Sequence, residues 1–220
     1  MRHALVRLGL IAVLAAPPAL AAGGKLADAW PQPTVGYNAD MTLNVGGETM
    51  TGKVYAEPGR QRQDLTIGQL QTSSVLDFAS GKMLTWSTAL PVVVEVDLEE
   101  QGMVDPRLLE YEELEITPVG PEEVNGVRAT KHAVRGSQPG GSAFEGFVWL
   151  TEDNIPVRIQ GTGSNPEEGS GSVEIELSNL VTGDQDDGLF APPAGASKFQ
   201  LGDMLQGLQG LMGQGTPPAN

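Results

Sequence analysis

Three aspartates within four positions, Asp184, Asp186 and Asp187, lie between Gly183 and Gly188, a set of oxygens that could hold a hard cation. A calcium loop of the EF-hand type needs side-chain oxygens at alternate positions, glycine at the sixth and a bidentate glutamate at the twelfth. Counted from Asp184, the third position is Asp186, but the fifth is Gly188, the sixth Leu189 and the twelfth Gly195. Too few ligands remain for a metal site. The stretch reads as a turn in which aspartates cap backbone N–H groups, after which Leu189 and Phe190 drop back onto the body of the protein. His132 is the one histidine besides His3, and a lone histidine on a strand is structural or solvated more often than catalytic. The motifs G-x-S-x-G, H-E-x-x-H, the P-loop and a helix-opening G-x-G-x-x-G are all missing. The 28 acidic residues make chance carboxylate pairs common, so they read as solvating charge. No catalytic residue, metal or cofactor is assigned, and the chain is expected not to be an enzyme.

The elements that must position any site are strands. In YNADMTLNV, Tyr37, Ala39, Met41, Leu43 and Val45 alternate with Asn38, Asp40, Thr42 and Asn44, the pattern of a half-buried strand. Gly46-Gly47 and Pro58-Gly59 turn the chain, and six strands in a meander fill Val35 to Leu98. DPRLLEYEEL (105–114), with Asp105 as N-cap and Pro106 at the first helical position, predicts one short helix. Four further strands follow at 126–135, 143–151, 155–161 and 172–181, with Gly/Ser/Pro-rich mobile loops at 136–142 and 163–171. About ten strands predict a mainly β fold, a curved antiparallel sheet, because twist accumulates and bends a sheet of that size. In the tail 198–220, Leu201, Met204, Leu205, Leu208, Leu211 and Met212 share one helical face, a candidate lid over the sheet.

The first 21 residues have the form of a cleavable signal peptide: Arg2 and Arg7, an apolar run from Leu8 to Ala16, then Ala19-Leu20-Ala21. The run is too short to span a bilayer, which takes roughly 20 residues. Without cysteine the chain cannot be acylated as a bacterial lipoprotein or stapled by disulfides. These features predict a soluble periplasmic protein with a leader at 22–34, a domain at 35–197 and no stable membrane insertion. Loss of Arg2 and Arg7 leaves 11 of the 13 basic residues against all 28 acids, a net charge of −17. Such a surface repels nucleic acid and suits a basic protein partner.

An apolar sheet with little helix to cover it is a candidate ligand groove. The residues expected to line it are Met41, Leu43, Val54, Trp86, Val94, Val96, Phe147 and Trp149. Lys53, Arg60 and Arg62 are scarce cations that could receive a ligand carboxylate or phosphate at the rim, against the plainer reading that they pair with nearby acids.

Three stretches carry a resemblance. PVGPEEVNGVRATKHAV (118–134) sets a V-N-G turn between strands, WLTEDNIPVRIQGTG (149–163) contains W-L-x-x-D-x-x-P-V-R, and Leu189 to Gly195 read L-F-x-x-P-x-G. Together they resemble the C-terminal half of the periplasmic lipoprotein-carrier superfamily, the LolA/LolB-like proteins. The front half, with Gly52-Lys53-Val54-Tyr55 and Arg60-x-Arg62, is similar to uncharacterised members of that group. The resemblance spans roughly Val35 to Lys198. It implies an open half-barrel covered by helices, whose apolar concavity takes acyl chains. Two readings follow. Either an acyl chain or a lipoprotein occupies the apolar face without chemistry, or that face is filled and the domain is a protein-interaction or sensor module.

Overall fold

The computed structural model describes residues 21–25, 33–78, 80–87, 90–97, 110–138, 140–166 and 169–200. It contains thirteen strands: β1 (Ala21–Lys25), β2 (Tyr37–Val45), β3 (Glu48–Glu57), β4 (Arg60–Ile67), β5 (Leu70–Asp77), β6 (Lys82–Ser87), β7 (Leu90–Asp97), β8 (Glu110–Val124), β9 (Val127–Ser137), β10 (Ala143–Leu150), β11 (Pro156–Asn165), β12 (Gly169–Thr182) and β13 (Ser197–Gln200). All belong to one sheet in the order β1-β8-β9-β10-β11-β12-β2-β3-β4-β5-β6-β7-β13. The sheet is open, with β1 and β13 as its edges. Neighbours are antiparallel except β13, which lies parallel to β7. The two meanders, β2–β7 and β8–β12, join where β12 pairs with β2, Ile175 opposite Leu43 and Leu177 opposite Met41.

The turns follow from residue chemistry. Between β8 and β9 the chain reverses at Asn125 and Gly126, both at positive φ (50° and 81°), the conformation of a tight two-residue hairpin turn. Glycine has a different purpose inside β3 and β10. A Cβ on Gly52 would sit 1.9 Å from the Asp64 carbonyl oxygen, and one on Gly146 would sit 2.2 Å from that of Gln160. Both glycines lie on the face that carries Met41 and Val148, where the neighbouring strand's backbone comes too close for a side chain.

That face holds the main core. Tyr37, Met41, Val54, Ile116, Val148 and Ile159 are among its buried residues. The reverse face is polar over most of the sheet, with Asp40, Lys53, Arg158 and Glu174 on it. A second, smaller core lies on the reverse face of β4–β7, where Val75, Trp86 and Val93 pack under Phe190.

The ten predicted strands are present, and three more are added. Where a helix was predicted at 105–114, Glu110–Leu114 belong to β8; residues 105–109 lie outside the described residues. Over the described part of that stretch strand pairing prevails, because Leu114 and Ile116 alternate with Glu113 and Glu115 and face Gly136 and Val134 of β9. Ala21, the last residue of the predicted signal peptide, and the start of the leader form β1, which pairs with β8. The tail begins with β13, so its first residues extend the sheet; the stripe from Leu201 lies outside the described residues. The loops at 136–142 and 163–171 are shorter than predicted, since β11 and β12 pair as far as Asn165 opposite Gly169. The signal-peptide residues 1–20 are likewise outside the described residues. Among the described residues no helix is long and apolar enough to cross a membrane.

Candidate functional site

The eight residues expected in one groove divide between two faces. Met41, Leu43, Val54 and Val96 are buried on the apolar face, and Val94 shares that face half-exposed. Trp86, Phe147 and Trp149 point to the opposite side: Trp86 pairs with Val93 beneath Phe190, and Trp149 pairs with Arg158 and Lys131. The expectation of a common face is corrected here, because Gly-Phe-Val-Trp-Leu and Val-Val-Val offer apolar residues in both phases of the alternation.

The apolar face changes character along the sheet. Over β2, β3 and β8–β12 its side chains are buried. Over β4–β7 it becomes mixed: Leu65, Leu76, Met83 and Val94 stay half-exposed. Gln63, Ser74 and Thr85 run between them in one cross-strand row with Val54 and Val94. Ser74 and Thr85 share a 2.6 Å hydroxyl hydrogen bond across this row. Phe199 of β13, 47 % exposed, continues the row beside Val94 at the sheet edge. Leu65, Leu76 and Phe199 were not singled out from sequence. The alternation of Leu65 with Asp64 and Thr66 was a signal for the first of them.

The three cations expected at the rim all lie on the reverse face. Lys53 pairs with Asp40 at 2.9 Å, and Asn179 donates to the same carboxylate; these bonds, Asn179 first, hold Asp40 below the usual aspartate range. Arg60 pairs with Asp187 and stacks over the Phe190 ring at 4.2 Å. Arg62 bonds Asp64 at 2.8 Å, donates to the Leu189 carbonyl at 2.7 Å and lies against Trp86 at 5.4 Å. The two arginines therefore fasten residues 187–190 onto β4. The aspartate-rich stretch forms a single 3-10 turn, Asp187–Phe190, in which the Asp186 carboxylate accepts from the Gly188 N–H at 2.7 Å. His132 offers Nδ1 to the Thr130 carbonyl at 3.0 Å.

On the reverse face of β8–β11 a second set of groups meets. Trp149, 3 % exposed, donates its indole N–H to Glu122 at 2.6 Å, and Lys131 lies over both Trp149 (4.8 Å) and Phe147 (4.4 Å). The indole bond, followed by Lys131, keeps Glu122 below the usual glutamate range. Arg158 approaches Trp149 at 5.3 Å and pairs with Glu174 at 2.6 Å. Beside this cluster an open trough of about 910 Å³ crosses the sheet, with Phe147 on its floor.

No protein-family model and no curated protein sequence matches the chain. Solved structures similar to it include an uncharacterised conserved protein from Thermus thermophilus, 14 % identical, with a TM-score of 0.49 over 76 % of this chain and 91 % of that one. MucB is 15 % identical, with a TM-score of 0.46 over 75 % of this chain and 60 % of its own length. A LolA superfamily protein from Nitrosomonas europaea is 5 % identical, with a TM-score of 0.39 over 73 % of this chain and 91 % of that one. A carrier-superfamily member is thus among the similar structures. None of them supplies a ligand or a site for this chain.

Proposed function

We propose that this protein binds lipid or the lipid-bearing part of a lipoprotein in the periplasm, holding an acyl chain on the apolar face of β4–β7 without chemistry. One observation carries the reading. The face that is filled over β2, β3 and β8–β12 continues over β4–β7 with Leu65, Leu76, Met83 and Val94 half-exposed. A run of accessible aliphatic and thioether groups beside a packed core suits an adaptable apolar ligand, since methionine accommodates varied shapes. The signal-like N-terminus and the lipoprotein-carrier resemblance of the sequence agree with such a role.

The test is native mass spectrometry of protein purified without detergent, followed by titration with a fluorescent fatty acid. Co-purified lipid or saturable uptake is expected, with uptake weakened at least about tenfold in Val94→Asp, because the carboxylate would have to be desolvated beside the acyl chain. A clean apo mass with no uptake overturns the reading, and so does undiminished uptake by folded Val94→Asp.

A further inference from the structure

The trough on the reverse face is built from cross-strand register. Thr117, Ala133, Phe147, Gln160, Glu174 and Asn44 are successive partners on six adjacent strands, so they form one row perpendicular to the strands. A parallel row two residues along contains Glu115, Arg135 and Glu145. Six strands spaced about 4.8 Å apart make the trough about 24 Å long, and adjacent rows stand about 7 Å apart. An extended chain laid along the first row has the polar groups of the second row within reach. At about 3.3 Å per residue the length corresponds to about seven residues.

The charges point to the sign of the occupant. Each base along the trough already has an acid: Arg135 pairs with Glu145 at 2.9 Å, Arg158 with Glu174 and with Glu176, and Lys131 with Glu122 at 3.4 Å. Glu115 adds a further carboxylate beside Arg135. Acids exceed bases locally, and the chain as a whole carries a formal charge of −15. The apolar anchor is Phe147. It is 37 % exposed, with its ring tilted 57° to Trp149 at 6.1 Å and held by Lys131. A rigid, exposed aromatic ring flanked by fixed polar groups is the kind of residue on which binding energy concentrates once a partner covers it.

We propose that this trough docks an extended, basic segment of another protein, with one apolar side chain of that segment resting on Phe147. The site lies on the opposite face from the proposed acyl site, and the two stand or fall separately. Long-range attraction brings a cationic chain to the face, and Phe147 sets its register.

The probe is a fluorescein-labelled heptapeptide of lysines with one central leucine, followed by anisotropy at physiological salt. It is expected to bind, and the glycine-centred analogue to bind at least about tenfold more weakly. Phe147→Ser and Glu115→Lys, each checked by circular dichroism, should weaken the leucine peptide by a similar factor. Glu152→Lys, an exposed reversal in the turn after β10, should change it less than about threefold, because screening confines a surface charge to its surroundings. Fatty-acid uptake should be unchanged in all three. No binding, equal affinity for the two peptides, or equal weakening by Glu152→Lys would overturn the proposal, the last by reducing the attraction to net charge alone.

Discussion

The sheet is one hydrogen-bonded surface, yet its two ends solve the burial problem differently. Over β8–β12, β2 and β3 one face is apolar and filled, and the reverse is polar around a buried Trp149. Over β4–β7 the burial is shared: Val75, Trp86 and Val93 are covered on the reverse face by Phe190, while Leu65, Leu76 and Met83 on the first face stay half-exposed. The difference comes from the segment after β12. It passes over β4 as the Asp187–Phe190 turn, fastened by Arg60 and Arg62, before β13 joins β7. A strand covered from behind needs less burial in front, and the front is then free to take a ligand.

The sharpest test of this contrast is a pair of aspartates. Val54 and Val94 occupy the same face and the same cross-strand row. Val54→Asp should unfold the domain or cost about 3–5 kcal/mol, because its carboxylate has no partner in the filled core. Val94→Asp should cost about 1 kcal/mol, since a half-exposed carboxylate keeps part of its hydration. Urea unfolding of both variants checks this, and similar losses would erase the distinction between the two ends.

A second test removes the cover. Phe190→Ala should cost about 3 kcal/mol, as a buried phenyl ring and its packing are lost. Hydrogen exchange should then show protection falling in β4–β7 before β8–β12. Uniform loss over both meanders would mean that the sheet opens as one unit and that its ends share a single stability.

The smallest effect belongs to the polar face of the filled end. Glu122 is held below the ordinary glutamate value, first by the Trp149 indole and then by Lys131. A depressed folded-state value means that this bond contributes above the unfolded glutamate range and is lost as pH falls through the folded value. The Trp149 indole N–H resonance should therefore titrate with a midpoint below that of an exposed glutamate, and Glu122→Gln should abolish the titration. Because Glu122 is exposed, the change in overall stability should be slight.

Much of the fold was legible because ten strands carry alternation or turn chemistry that local physics enforces. YNADMTLNV is unambiguous: polar residues occupy one phase and apolar residues the other. Of the three added strands two lack that signal, and in β8 the short alternation Glu113-Leu114-Glu115-Ile116 competes with other cues. β1 reads AAGGK and has no contrast between phases, β13 is four exposed residues, and β8 contains Pro118 and Pro121 behind a convincing helix start. The site was harder to read. In GFVWL both phases are apolar, so alternation cannot tell whether Phe147 and Trp149 or Val148 and Leu150 face the core. A register shift at Trp149/Leu150 removes the remaining guide. The rim arginines were visible as scarce charges, but their partners at 187–190 are over 120 residues away in the chain, a distance that no local pattern spans.

The pairing of β12 with β2 also orders the folding of the molecule in time. Leu43 and Ile175 are opposite each other in the sheet but about 130 residues apart along the chain. A chain emerging N-terminus first must present the β12-facing edge of β2 unpaired until almost the whole domain has been made. Such a waiting edge is a template for the wrong strand. Closing it also carries the loop entropy of everything between, so this seam should be the slow step of folding, limited by how soon the last long strand returns to the first.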